Sequence, residues 1–93
     1  MSTPLIVQKT FVIPNKQGLH ARPAALFVQA LQRFRCKVAV SKGDTEVNGK
    51  SLMGLMMLAA EQGSQLKVRL EGADAPEAMK EIEKLFVRKF DEN

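Results

Sequence analysis

The stretch Gly18-Leu19-His20-Ala21-Arg22-Pro23 sets the one histidine of the chain between a glycine-bearing turn and a proline. Proline suits the first turn of a helix, where its missing N–H would have had no partner. The N–H groups of that turn are unpaired within the helix, and with the helix dipole they form a site for an anion. Arg22 adds a permanent positive charge two residues from the ring. A positive setting disfavours the imidazolium, so the ring stays neutral and nucleophilic near neutral pH. The same features then stabilise the charge of an arriving phosphoryl group. Phosphoryl acceptance on His20 is the chemistry these residues suit, although a lone histidine more often caps a helix or sits in a loop. A metal role has little support, because no second histidine and no cysteine lies nearby to complete a ligand set.

Ser51 follows Gly49-Lys50 and opens an apolar stretch, where a serine ordinarily serves as the N-cap of a helix. Helical spacing cannot bury all of the large apolar residues from Leu52 to Leu58, so some should face solvent, and flexible Met suits a surface that fits several partners. Gly43 to Ser51 imitates a nucleotide-binding phosphate loop. That motif needs four residues between its glycines, whereas five stand here and two of them are acids. Ser51-Leu52 also imitates the attachment site of a pantetheine carrier. Those carriers are acidic helical bundles, and this chain is basic with several strands.

The elements that position these residues can be read from periodicity. Leu5 to Ile13 reads as a strand, with Phe11 and Ile13 on one face and Thr10 and Val12 on the other. Pro14 to Gly18 is a turn. A helix is expected from about Pro23 to Phe34, with Phe27, Ala30, Leu31 and Phe34 facing the core. Cys36, Val38 and Val40 alternate with polar or small neighbours as a strand, Lys42-Gly43-Asp44 turns, and Thr45 to Asn48 returns. Ser51 to Ala60 is expected as a short helix and Gln65 to Glu71 as the cleanest strand. Asp74 and Glu77 stand at capping-box spacing and open a helix running to about Phe90, with Ala78, Met79, Ile82, Phe86 and Phe90 as its apolar stripe. The order β-α-β-β-α-β-α predicts an α+β fold, a two-layer open-faced sandwich. Its sheet has four mostly antiparallel strands, with three helices on one face and solvent on the other.

At 93 residues, 45% hydrophobic and 26% charged, the chain is expected to form one globular domain over 1–93 with a modest core. The nearly apolar run Leu52 to Ala60 has nine residues, about half of what a bilayer span needs. Met1-Ser2-Thr3-Pro4 has no signal-peptide pattern, and Cys36 as the only cysteine allows no internal disulfide, so a cytoplasmic protein is expected. Net charge is +4, with eight Lys/Arg against two acids in residues 1–50 and six against eight in 51–93. A basic half raises a small RNA-binding module as the alternative of a different class. The absence of Trp, Tyr and any basic run counts against it.

Gly18-Leu19-His20-Ala21-Arg22-Pro23-Ala24 resembles the active-site signature of the histidine-containing phosphocarrier (HPr) family of the bacterial phosphoenolpyruvate-dependent sugar phosphotransferase system. Lys50-Ser51-Leu52-Met53-Gly54-Leu55-Met56 resembles its regulatory serine segment, and Gly72-Ala73-Asp74 its turn before the last helix. The resemblance spans about residues 8–90 with the motifs in order. It implies that ring Nδ1 of His20 takes a phosphoryl group from phosphorylated enzyme I and yields it to sugar-specific enzyme IIA domains. Arg22 would neutralise the transferring charge. It further implies phosphorylation of Ser51 by HPr kinase/phosphorylase, and docking of partners on Ala21, Leu52, Met53 and Met56. The chain would be a monomeric covalent carrier rather than an enzyme, with no cofactor, no metal, no nucleic acid and no membrane insertion. The nitrogen-related branch of the family implies the same chemistry with a different enzyme I and other acceptors; the serine segment favours the sugar branch.

Overall fold

The computed structural model describes residues 5–92; Met1 to Pro4 and Asn93, which the expectations above include, lie outside the described residues. The strands are β1 (Ile6–Val12), β2 (Lys37–Lys42), β3 (Thr45–Asn48) and β4 (Gln65–Glu71), and the helices are α1 (Ala21–Leu31), α2 (Leu52–Met57) and α3 (Ala75–Val87). The sheet runs in the order β1-β4-β2-β3, and each neighbouring pair is antiparallel. The α+β open-faced sandwich is therefore as expected, with the order β-α-β-β-α-β-α intact.

Register follows from the period of two. Val7, Leu70 and Val38 stand side by side across β1, β4 and β2, as do Val68, Val40 and Val47 across β4, β2 and β3. Their common face meets the helices. The alternate row of Gln8, Arg69, Ala39 and Asn48 lies on the other face, where long polar side chains remain solvated. Phe27 and Leu31 of α1, Leu55 of α2 and Ile82 of α3 are buried against the sheet.

Four local expectations are corrected. Helix α1 starts at Ala21, two residues before the proline, because Pro23 is tolerated throughout a first turn whose N–H groups are unpaired anyway. It ends at Leu31 rather than Phe34, the chain closing in a turn through the Phe34 N–H to Leu31 carbonyl bond (3.1 Å). Helix α2 stops at Met57 instead of Ala60: Ala59 takes a positive φ of 48°, and the Ala60 carbonyl is used by the Leu19 N–H at 2.8 Å. Helix α3 ends at Val87 rather than Phe90. Lys89, Phe90 and Asp91 all have positive φ, near 53°, 53° and 58°. This left-handed turn tucks Phe90, fully buried, edge-on to Phe86, which in turn stacks on Phe11 at 4.2 Å.

The capping box is also absent. The Asp74 side chain makes no bond to α3; its carboxylate accepts from the Arg35 N–H at 2.7 Å and the Cys36 N–H at 3.0 Å. Two unpaired amides at the entry to β2 outcompeted the local cap, so Asp74 ties the start of α3 to the sheet. Among the described residues, no helix is long and apolar enough to cross a membrane.

Candidate functional site

His20 is the N-cap residue of α1, with extended backbone angles (φ −81°, ψ −170°) and a carbonyl that accepts the Ala24 N–H at 3.1 Å. Its side chain is about one-third exposed (34%), so the ring is neither sealed in the core nor free in solvent. The loop ahead of it is held by backbone. The Gly18 N–H donates to the Asn15 carbonyl at 3.1 Å, and the Leu19 N–H pins the loop to residue 60 beyond α2. Within α1, the N–H groups of Ala21 and Arg22 have no helical acceptor, and Pro23 has no N–H. His20 and Arg22 share an open cleft of about 460 Å³ with Lys16, Gln17, Asp91 and Glu92. A second cleft of about 300 Å³ on the other flank joins His20 and Leu19 to Met56, Ala59 and Ala60.

The expectation of a purely positive setting is corrected. The Glu92 carboxylate lies against the ring, with Oε2 at 2.9 Å and Oε1 at 3.1 Å from His20 Nε2. Oε1 also accepts from Asn15 Nδ2 at 2.8 Å, and the same Nδ2 reaches the Gly18 carbonyl at 2.6 Å. Both partners of that nitrogen are acceptors, which fixes the orientation of the buried Asn15 carboxamide. Burial works to raise the Glu92 carboxyl. Hydrogen bonds from His20 and Asn15, with the charges of His20 and Arg22, outweigh it and hold the group below its usual value. Among the described residues, the hydrogen bonds of the ring are made by Nε2.

Asn15 and Glu92 were missed from sequence. Asn15 reads only as a turn former in Pro14-Asn15-Lys16-Gln17-Gly18, and Glu92 as part of a charged tail. Neither string carries a local signal that points to the histidine.

Ser51 lies at the start of α2, where its Oγ accepts the Gly54 N–H at 3.0 Å, the N-cap bond expected of it. Of the apolar residues that follow, Leu55 and Leu58 are buried while Leu52, Met53, Met56 and Met57 are exposed, the last at 74%. Met56 reaches the cleft beside His20; Ser51, Leu52 and Met53 line neither cleft. Ala21 is exposed. Cys36 is buried, and burial aided by the nearby Asp74 carboxylate pushes its thiol up, which makes it a poor nucleophile. Among the described residues, no cluster of three His, Cys, Asp or Glu side chains could hold a metal ion.

Comparison with known proteins points to one family. The family described as the PTS HPr component phosphorylation site matches residues 7–88. The chain is 47% identical over 87 residues to phosphocarrier protein HPr of Treponema pallidum, covering 94% of this chain and 99% of that protein. It is 43% identical over 77 residues to the HPr-like protein Crh of Bacillus subtilis, covering 83% of this chain and 91% of that one. Among solved structures, HPr from Thermoanaerobacter tengcongensis superposes with a TM-score of 0.89 at 46% identity, covering 94% of this chain and 98% of that chain.

Proposed function

The chain belongs to the HPr family of phosphocarriers, and from that premise we propose that it accepts a phosphoryl group on His20 from phosphorylated enzyme I and passes it to sugar-specific enzyme IIA domains. The observation that carries this reading is the half-open imidazole at the mouth of α1, sharing a cleft with Arg22. A ring nitrogen lone pair forms the new N–P bond as the bond from phosphorus to the donor breaks. Arg22 and the unpaired amides of the first turn of α1 offset the charge of the transferring group. The reverse exchange delivers it to the acceptor. An open cleft serves a carrier well, because each partner must bring its own groups to the phosphorus.

The exposed Ala21, Leu52, Met53 and Met56 form the docking surface in this reading, with Met56 reaching the cleft that His20 lines. Ser51 is the regulatory site, a substrate for a serine kinase of the HPr kinase/phosphorylase type. Phosphate on its Oγ would stand where the N-terminal amides of α2 tolerate negative charge, beside the exposed methionines.

Incubation with labelled phosphoenolpyruvate and enzyme I tests both statements. Label should appear on the chain, be acid-labile and base-stable, vanish in His20→Ala, and be discharged by enzyme IIA. Label that persists in His20→Ala would overturn the acceptor assignment. In the same assay Ser51→Asp should be labelled more slowly while remaining folded; an unchanged rate removes the regulatory role.

A further inference from the structure

The tail of the chain follows an unusual path to reach the histidine. Left-handed backbone is disfavoured for residues with a side chain by about 1–2 kcal/mol each, and it occurs here at three successive positions, Lys89, Phe90 and Asp91. Burial of Phe90 against Phe86 holds this turn, and Arg88 Nε bonds Asp91 Oδ1 across it at 3.1 Å. The result is that Glu92, 72 residues from His20 in sequence, places both carboxylate oxygens on Nε2. Strain of this kind persists only where surrounding packing over-determines it, and it concentrates at functional sites.

We propose that Glu92 is a positioning residue for phosphoryl transfer: its carboxylate, braced by Asn15, accepts the Nε2–H of His20 and so leaves the Nδ1 lone pair as the nucleophile. A neutral imidazole carries one proton, and whichever nitrogen holds it cannot attack phosphorus. A carboxylate can only accept, so its contact with Nε2 selects the tautomer with the proton there and also fixes the rotation of the ring. Asn15 holds the carboxylate in turn. It is fully buried, and its Nδ2 is shared between Glu92 and the Gly18 carbonyl of the histidine loop, so carboxylate and ring refer to one rigid point. When the N–P bond forms at Nδ1, the ring becomes positively charged with Nε2–H still in place. The same carboxylate then stabilises that charge without a proton leaving. This inference deepens the phosphocarrier reading and rests on it for the identity of the incoming group.

The test uses the full chain and its Glu92→Ala and Glu92→Gln variants. NMR chemical shifts of the ring nitrogens, taken in alkaline buffer where the imidazole is neutral, report the tautomer without any phosphoryl donor. In the parent chain Nε2 should show the protonated shift and Nδ1 the unprotonated one. Glu92→Ala should move both toward the average of two tautomers, and Glu92→Gln, which keeps an acceptor oxygen, should restore most of the difference. Labelling by enzyme I should slow by about tenfold in Glu92→Ala, at the lower end of what losing the orienting partner of a histidine costs. Ring shifts that do not change in Glu92→Ala, or labelling that becomes faster because the carboxylate was only an obstruction, overturn the proposal. Failure of the phosphocarrier reading looks different: the parent chain takes no label at all, while the ring shifts still decide the role of Glu92.

Discussion

Replacing Gly18 by alanine separates two ways in which the histidine loop could be held. Gly18 has φ of +71°, and a Cβ there would lie 2.4 Å from the Ala60 carbonyl oxygen and 3.0 Å from Glu61 Cα, both backbone atoms. Backbone cannot rotate out of the way as a side chain can, and that carbonyl is already committed to the Leu19 N–H. The substitution therefore carries two terms. Left-handed backbone costs an alanine about 1–2 kcal/mol, and forcing the two segments apart adds about 1–3 kcal/mol, as overpacking does elsewhere. Gly43 supplies the control, because it too has positive φ, +58°, and a Cβ there would meet nothing within 4 Å. Gly43→Ala should show the conformational term alone. With no Trp or Tyr in the chain, urea unfolding is followed by far-ultraviolet circular dichroism. For a urea slope of about 1 kcal/mol/M, the Gly18→Ala midpoint should fall roughly 1–3 M further than that of Gly43→Ala. Equal shifts for the two variants would refute the claim that close backbone contact holds the loop.

Phe90→Ala removes a fully buried ring from the core and should destabilise the fold by about 3 kcal/mol, the lower end of the range because the ring sits on a short left-handed turn that can collapse into the space. The thermal midpoint should drop by roughly 10–20 °C, and the ring shifts of His20 should move as they do in Glu92→Ala. A large loss of stability with unchanged His20 shifts would separate the left-handed turn from the site. Acid behaviour is set by carboxylates held low in the folded state. For Asp74 the main cause is the Arg35 N–H, opposed by partial desolvation and helped by the Cys36 N–H. For Glu81 it is the hydrogen bond from Arg33. Their contribution is complete above the ordinary values of 3.8 and 4.5 and is lost as pH falls through the depressed folded values. Asp74→Asn should lower stability at neutral pH and flatten its decline below about pH 4, measured by urea midpoints across pH; an unchanged acid slope would refute the role given to Asp74.

Much of this architecture could be read locally, because its signals are local. Leu66, Val68 and Leu70 alternate at the period of a strand, and Ala78, Met79, Ile82 and Phe86 recur at that of a helix, so β4 and α3 needed no tertiary information. His20, Arg22 and Pro23 also sit within one short window, and the mouth of α1 is visible in it. Element ends were less legible. Ser51 was read correctly as a cap because its acceptor role is played within three residues. Asp74 was not, since the amides that claimed it belong to Arg35 and Cys36.

The partner of the histidine was out of reach altogether. Nothing in Arg88-Lys89-Phe90-Asp91-Glu92 as a string distinguishes a solvated tail from one that returns to the site. Its path depends on whether the Phe11–Phe86 stack leaves a berth for Phe90, and that is a property of packed surfaces from β1 and α3. Periodicity records which face of an element is apolar. It carries no record of where the chain goes once three residues adopt left-handed backbone to fill a gap. The amino-acid order by itself determined the sandwich, the histidine and its arginine; only tertiary packing decided that a carboxylate stands on Nε2, because burial of one distant ring outweighs the local preference for continuing a helix.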